Sequence, residues 1–154
     1  MSNRVDGERR VLPPVYFLLA LLLMVGLHYA FPVRQVMQFP YRYGGLVFVL
    51  GGILLVLWAA RLFGQAGTTI KPFQQASALV VRGPYRLTRN PMYVGMVTVL
   101  VGIAVLLGSL SPGIIIPLFM ALIEVRFIRS EEKALERTFG PEYGAYKARV
   151  RRWL

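Results

Sequence analysis

The sequence predicts an all-α, polytopic membrane protein with about four transmembrane helices and a cytoplasmic C-terminal amphipathic helix. Of its 154 residues, 56% are hydrophobic, and the mean hydropathy is +0.55. Apolar runs of membrane-spanning length follow one another along most of the chain. The basic residues are also divided unequally between the loops. We expect a single membrane-embedded domain over 1–154, with two N-terminal spans in 1–63 and a functional core with two further spans and the tail in 64–154.

Four transmembrane spans are predicted from the apolar runs. Each is close to the roughly 17 to 25 residues that cross the hydrocarbon core at about 1.5 Å per residue. No small-x-small cleavage site follows the first run, so we expect a retained span and not a signal peptide. The third and fourth runs are separated only by "SLS" and a proline, which predicts a tight antiparallel hairpin. The spans are expected at about 14–31, 44–63, 92–108 and 112–128.

The charge distribution predicts the orientation. The chain has 18 Lys and Arg against 7 Asp and Glu, a net charge of +11. Only Arg34 and Arg42 fall in the first loop, and the other sixteen basic residues fall on the side of the N-terminus. The positive-inside rule therefore places both termini and the polar loops in the cytoplasm. The basicity is explained by topology and by attraction to anionic lipid, so nucleic acid is not an expected partner.

Cysteine and histidine usage excludes several kinds of chemistry. The chain has no cysteine and a single histidine, His28. Disulfides, thiolate metal sites and thiol nucleophiles are excluded together. Because His28 lies inside an apolar run without partner ligands, we expect a role in helix packing, and we expect no metal site.

The segment "RGPYRLTRNPMYVG" (82–95) has the features of a helix start at the membrane surface. Asn90 is suited to the N-cap position and Pro91 to the first helical position. The free N–H groups and the helix dipole of the following turn form a seat for a carboxylate or phosphate. An interfacial anchor is the alternative interpretation, because tyrosine and arginine often mark headgroup depth. The polar side chains around this start are Arg82, Tyr85, Arg86, Arg89 and Tyr93.

Ionisable side chains appear early in the fourth span. Glu124 and Arg126 follow only about twelve apolar residues, and groups at such a depth usually face a bundle interior or a watery cavity. Glu131 and Glu132 are adjacent, hence about 100° apart around a helix axis, so we expect them to have different roles. Arg129 and Glu132, three residues apart, are predicted to pair.

The C-terminal tail predicts an amphipathic helix in the membrane interface. Gly140 and Pro141 are expected to end the preceding helix. The aromatic and apolar residues that follow recur at spacings of 3, 4 and 3, with basic residues on the other face. This helix is either a membrane anchor or a lid that brings Arg149 to a site. Its apolar face is formed by Tyr143, Tyr146, Val150 and Trp153.

Together, "LVVRGPYRLTRNPMYVG", the hydrophobic hairpin and "EEKALERTFGPEYGAYKARVRRW" resemble the isoprenylcysteine carboxyl methyltransferase family. This family lies within a wider group that includes phospholipid N-methyltransferases. The resemblance covers about residues 64–153 and consists of an R-x-P-x-Y-x-G motif, an acidic pair and an FG-x-x-Y-x-x-Y-x-x-R tail. It implies an integral membrane methyltransferase that uses S-adenosylmethionine.

The resemblance also implies site residues. Tyr85, Asn90, Pro91, Tyr93, Gly95, Glu131 and Glu132 are expected to bind the cofactor, and Arg89, Glu132 and Arg149 are the expected catalytic residues. Arg149 matches the tail arginine that lies near the acceptor in the family. Asn90 stands where the eukaryotic prenylcysteine enzymes usually have histidine, and the RNP form resembles bacterial relatives, so a bacterial inner membrane is the expected location.

The chemistry of the cofactor agrees with these residue types. Its amino-acid end carries a carboxylate, suited to a helix N-terminus or arginine, and an ammonium, suited to glutamate. A carboxylate acceptor needs no base, whereas an ammonium acceptor must first lose a proton. The expected acceptor is lipid-like or prenylated, with a carboxylate or a lipid head group as the methylated part. Two alternatives are a reductase of the sterol-reductase type that uses reduced nicotinamide phosphate, and a non-enzymatic lipid-binding module.

Overall fold

The computed structural model describes residues 12–67 and 77–154. Within these ranges the protein consists of helices and turns, with two isolated β-bridges and no strand. The all-α prediction is therefore confirmed. Lys71 and the N-terminal arginines, which contribute to the predicted charge asymmetry, lie outside the described residues.

Five α-helices follow one another along the described chain. Each predicted span corresponds to a helix, because the apolar runs are long enough to satisfy their backbone hydrogen bonds internally. Short 3₁₀ turns precede three of the helices, at Tyr41–Gly44, Gly83–Arg86 and Ser111–Ile114. The helices are α1 (Pro13–Ala30), α2 (Gly45–Gln65), α3 (Pro91–Leu107), α4 (Ile115–Ile123) and α5 (Arg129–Arg149).

Within residues 12–67 and 77–154, three continuous helical stretches are long and apolar enough to cross a membrane: Pro13–Ala30, Tyr41–Gln65 and Ser111–Arg149. A fourth apolar helix, Pro91–Leu107, has 17 residues. Large apolar side chains point outward along these helices, which a lipid environment accepts and water would not. We therefore describe the chain as an integral membrane protein.

Helix α3 lies at the centre of the bundle. Leu100 of α3, Met24 of α1 and Ile123 of α4 are each completely inaccessible to solvent. They belong to one continuous apolar core that also includes Tyr93 at the start of α3 and Phe127 beyond α4. Tyr93 is thus anchored in the packed centre while its hydroxyl points toward the end of the bundle where α3 begins, which we call the site end.

Helices α2 and α3 approach each other closely through glycines. A Cβ atom at Gly52 would lie 2.6 Å from the carbonyl oxygen of Gly95, and a Cβ at Gly95 would lie 2.8 Å from the oxygen of Gly52. Gly45 and Gly102 form a second such contact, seven residues away on each helix. Small residues allow helix backbones to approach in this way. Both contacts join helices of the same chain.

The opposite end of the bundle has its own polar contact. His28 Nδ1 lies 2.8 Å from Ser109 Oγ, in the short turn between α3 and α4. Gly108 ends α3 in the left-handed conformation, with φ of 76°, which glycine adopts without strain. His28 therefore contacts the turn between α3 and α4, at the end of the bundle opposite the site end.

Helices α4 and α5 are joined by a π-helical turn, Glu124–Ile128, hereafter the π segment. Such single turns are frequent at functional sites. Within α5, Gly140 has non-helical angles (φ 48°, ψ −119°) and Pro141 starts the next helical section. The predicted break is therefore present, but the predicted amphipathic helix is too long: Val150 is extended, so it and Trp153 do not share the helical face of Tyr143 and Tyr146.

Candidate functional site

The segment before α3 forms one wall of the site. Tyr85 lies in the 3₁₀ turn before α3 and is 5% exposed, with its ring against Phe63 at a centroid distance of 5.4 Å. Burial raises the pKa of the Tyr85 hydroxyl well above its usual range, and the Tyr146 and Glu131 side chains add to this effect. This hydroxyl is therefore neutral at physiological pH and available as a hydrogen-bond donor.

Asn90 occupies the predicted N-cap position of α3, directly before Pro91 at the first helical position. Its side chain nevertheless accepts no hydrogen bond from the first turn. Its Nδ2 instead donates to the carbonyl oxygen of Arg152, at 3.0 Å. The Asn90 amide bonds to the C-terminal tail and not to the first turn of α3, because the tail runs directly beside it. The N–H groups of the first turn of α3 consequently have no side-chain cap.

Tyr93 and Glu131 form the central polar contact of the site. The Tyr93 hydroxyl donates to Glu131 Oε1 at 2.9 Å, across 38 residues of sequence. Tyr93 is 7% exposed, and Glu131 is partly buried. Pro91 at the start of the same helix is also completely buried. The structure thus brings the first predicted motif and the acidic pair together.

Glu132 has different partners from Glu131. This agrees with the prediction, because adjacent residues of a helix point in directions about 100° apart. Its carboxylate lies between two guanidinium groups, 3.1 Å from Arg89 Nη1 on one side. On the other side, Arg152 donates from Nε to Oε1 at 3.1 Å and from Nη2 to Oε2 at 2.7 Å. Glu132 is 7% exposed, and a carboxylate so buried requires this compensation.

The predicted pair between Arg129 and Glu132 is wrong. Arg129 Nη2 instead contacts Glu124 Oε1 at 3.1 Å. The two residues are five apart, the spacing that the π segment brings onto one face of the helix. The extra residue of this turn thereby changes which acidic side chain Arg129 can reach.

The C-terminal tail, residues 150–154, crosses the start of α3 and completes the charged cluster. The Arg89 N–H donates to the Arg151 carbonyl at 2.9 Å, and Thr88 Oγ1 donates to the Arg152 carbonyl at 3.0 Å. Arg152 Nη1 also donates to Glu124 Oε1 at 2.9 Å. The hydrogen bond to Glu132 is the main reason that the pKa of Arg152 is raised. Arg152 therefore connects α3, the π segment and α5.

Sequence reasoning did not select Arg152. It selected Arg149 through the family resemblance, but in the structure Arg149 is exposed and its Nε donates to Ala145 within its own helix at 3.3 Å. The structure does not bring Arg149 to the Tyr93–Glu131 pair. Gly95 is likewise one turn beyond the site, in the contact with α2. No local sequence pattern identified Arg152, because its acidic partners lie 20 and 28 residues away along the chain.

Several buried polar atoms at the site have no hydrogen-bond partner in the described protein: Tyr85 OH, Tyr143 OH, and Nε and Nη1 of Arg89. Arg89 Nη1 is close to Glu132, but the contact lacks the alignment of a hydrogen bond. Native proteins rarely leave buried donors unpaired, because each costs about 1–3 kcal/mol. Such a group of donors beside the Tyr93–Glu131 pair is what a site for a polar ligand requires.

An open apolar cavity of about 230 Å³ lies next to this polar cluster. Trp153 connects the two, because its Nε1 donates to Glu124 Oε2 at 3.3 Å while its ring contributes to the cavity wall. Among the residues that the structure describes, no group of three or more His, Cys, Asp or Glu could hold a metal ion. The cavity is lined by Phe48, Val94, Val97, Thr98, Val101, Met120, Trp153 and Leu154.

The fold and the site define a class: a helical integral membrane protein with a buried charged cluster at one end of its spans and an apolar cavity beside it. Residues 40–142, about two thirds of the sequence, match the model of the phospholipid methyltransferase family. The chain belongs to this family.

Two metal-resistance proteins are similar in sequence to shorter stretches of this chain. The chain is 36% identical over 77 residues to the nickel-cobalt-cadmium resistance protein NccN of Alcaligenes xylosoxydans xylosoxydans, covering 50% of this chain and 36% of that protein. It is 34% identical over 74 residues to the cobalt-zinc-cadmium resistance protein CzcN of Cupriavidus metallidurans, covering 48% and 34%. The chain thus spans about a third of the length of these two relatives.

An uncharacterized protein of Haemophilus influenzae is 36% identical over 63 residues, which cover 41% of this chain and all of that protein. No solved structure matches the chain.

Proposed function

We propose that this protein transfers a methyl group from S-adenosylmethionine to an amphiphilic acceptor that resides in the membrane. The observation that carries the proposal is the meeting of Tyr93 and Glu131 at the start of α3. Beside them lie the Tyr85 hydroxyl and Arg89 Nε, which have no hydrogen-bond partner among the described residues. Membership of the phospholipid methyltransferase family supports the same reaction class.

The residues at the site fit the amino-acid end of this methyl donor. Arg89 Nε and the uncapped N–H groups at the start of α3 are donors suited to a carboxylate. Glu131 is suited to the ammonium group, because its described hydrogen bond is a single one from the Tyr93 hydroxyl. Glu132 is already neutralised by Arg89 and Arg152, so we assign it to the framework of the site.

The transfer itself requires little acid–base chemistry from the protein. When bound, S-adenosylmethionine supplies a methyl group already activated by its positively charged sulfur. The residues of this chain then have to orient the two reactants and exclude water. Buried aromatic side chains at the site, Tyr85, Tyr93, Tyr143 and Tyr146, are suited to that task.

The acceptor that these residues favour carries a hydrocarbon chain and a nucleophile that needs no strong base. The apolar cavity that begins one residue beyond Tyr93, at Val94, is suited to the hydrocarbon chain. The one histidine of the sequence, His28, is bonded to Ser109 at the opposite end. We therefore propose a carboxylate of the prenylcysteine kind or a lipid head group, methylated on the cytoplasmic side of a bacterial inner membrane.

A labelling experiment tests this function. The purified protein is incubated with methyl-labelled S-adenosylmethionine and lipids extracted from bacterial membranes, and the lipids are separated to find the labelled species. We expect label in one lipid fraction with the wild type and little with Glu131→Gln. A parallel titration with reduced nicotinamide phosphate tests the reductase alternative. Absence of label in every fraction, with binding of the nicotinamide, would overturn the proposal.

A further inference from the structure

We propose that Arg152 is a positioning residue that keeps Arg89 available for the carboxylate of a ligand. The inference rests on the proposed function, because it concerns the same site. It follows from the way in which two guanidinium groups share the Glu132 carboxylate. Arg152 makes aligned hydrogen bonds to both oxygens, at 3.1 and 2.7 Å. Arg89 is left with an unaligned contact at 3.1 Å.

This division leaves buried donors of Arg89 without aligned hydrogen bonds, which lowers the stability of the folded protein. The side chains of Arg89 and Glu132 are each only 9% exposed. Arg89 Nε and Nη1 are buried without an aligned hydrogen bond to a described residue. A buried arginine normally forms paired, parallel hydrogen bonds with a carboxylate. Here the nearest carboxylate is occupied by Arg152, so the Arg89 donors remain open to an incoming anion.

Arg152 is itself held firmly in place. Its Nη1 donates to Glu124 in the π segment, and its carbonyl oxygen accepts bonds from Thr88 and Asn90, the neighbours of Arg89. The tail therefore fixes the backbone on both sides of Arg89 while its arginine side chain occupies Glu132. If Arg152 is removed, both Glu132 oxygens lose their aligned hydrogen bonds, and Arg89, whose Nη1 already lies 3.1 Å from Oε1, is expected to turn onto them.

Calorimetric binding in detergent tests the inference with two ligands. The first is S-adenosylhomocysteine, and the second is its decarboxylated analogue, which lacks the carboxylate. For Arg152→Gln, we expect the affinity for S-adenosylhomocysteine to fall at least about tenfold, the effect of one hydrogen bond between charged groups. Affinity for the decarboxylated analogue should change by less than about twofold. Arg151→Gln is the matched control, because the Arg151 side chain is exposed and only its carbonyl contacts Arg89.

A second variant separates positioning from simple loss of structure. With Glu132→Gln already present, Arg89 has no carboxylate to turn onto, so adding Arg152→Gln should lower the affinity for S-adenosylhomocysteine little further. The double variant also leaves no unpaired Glu132 charge that could prevent folding. Equal losses for both ligands, or additive losses in the double variant, would overturn the role of Arg152 while leaving the proposed function intact. Failure of the wild type to bind S-adenosylhomocysteine would overturn both.

Discussion

The hydroxyl of Tyr93 donates to Glu131 at 2.9 Å, which joins the start of α3 to the start of α5. The Tyr93 ring is part of the apolar core, so the position of the hydroxyl is determined by the packing of α1, α3 and α4. Glu131 is one residue from Glu132, whose partners are Arg89 and Arg152. The bundle thus holds two adjacent carboxylates in different surroundings. Glu132 is paired with arginines, and Glu131 faces the site.

Removing the Tyr93 hydroxyl should affect ligand binding more than folding. Tyr93→Phe keeps the buried ring and deletes one hydrogen bond to Glu131, a change of about 0.5–1.5 kcal/mol in stability. We expect the melting temperature to fall slightly and the affinity for S-adenosylhomocysteine to fall several-fold, because Glu131 is no longer oriented. Thermal unfolding and calorimetry on the same preparation check this. A large loss of stability with unchanged affinity would show that the bond is purely structural.

Glu132 is expected to be essential for stability. Glu132→Ala leaves Arg89 and Arg152 beside a buried, empty position, and breaking a buried ion pair in this way costs about 3–5 kcal/mol. A marked fall in the melting temperature should result. Glu136→Ala is the matched control on the same helix, since Glu136 pairs with Lys147 at the exposed surface. If the two variants had the same melting temperature, the buried cluster would contribute no more to stability than a surface ion pair.

The glycine contact between α2 and α3 predicts a sharp difference between adjacent residues. Gly52→Ala places a methyl group against the Gly95 backbone, whereas Gly51 has no atom within 4 Å of an added Cβ. Overpacking of this kind costs about 1–3 kcal/mol. We expect Gly52→Ala to lower the melting temperature and Gly51→Ala to leave it unchanged or raise it slightly. Equal effects of the two substitutions would argue against the close helix contact.

The proposed orientation can be measured directly, because the sequence contains no cysteine. Single cysteines at Arg34 and at Arg151 lie at opposite ends of the bundle, and both positions are exposed. In intact cells, a membrane-impermeant maleimide should label Arg34→Cys after passing the outer membrane, and should label Arg151→Cys only after the cells are opened. The reverse pattern would place the site outside the cytoplasm.

The helices were predictable from sequence because long apolar runs leave few other structures in a membrane. The helix start at Pro91 was predictable for a local reason, the fixed φ of proline. The partners of Glu132 were not, because they come from Arg89 and Arg152, which are 43 and 20 residues away. Periodicity describes one helix face at a time and contains no information about such distant pairs.

Three differences between the expected and the observed contacts share one physical origin, the course of the chain beyond regular helix. The π segment adds a residue that hydropathy does not reveal, and so Arg129 reaches Glu124. The tail leaves the helix at Val150, and so Arg152, not Arg149, reaches the acidic pair. The same tail takes the Asn90 side chain away from the expected cap. Each outcome depends on tertiary contacts that outweigh the local preferences of the sequence for regular helical spacing and for a side-chain N-cap.

Calorimetric titration of the purified protein with S-adenosylhomocysteine, beside Glu131→Gln and the control Glu136→Gln, tests the central claim most directly. The account predicts saturable binding to the wild type and to Glu136→Gln, with the affinity of Glu131→Gln lowered at least about tenfold by loss of the charge that faces the ammonium. Absence of binding to the wild type, or equal binding to all three proteins, would contradict it.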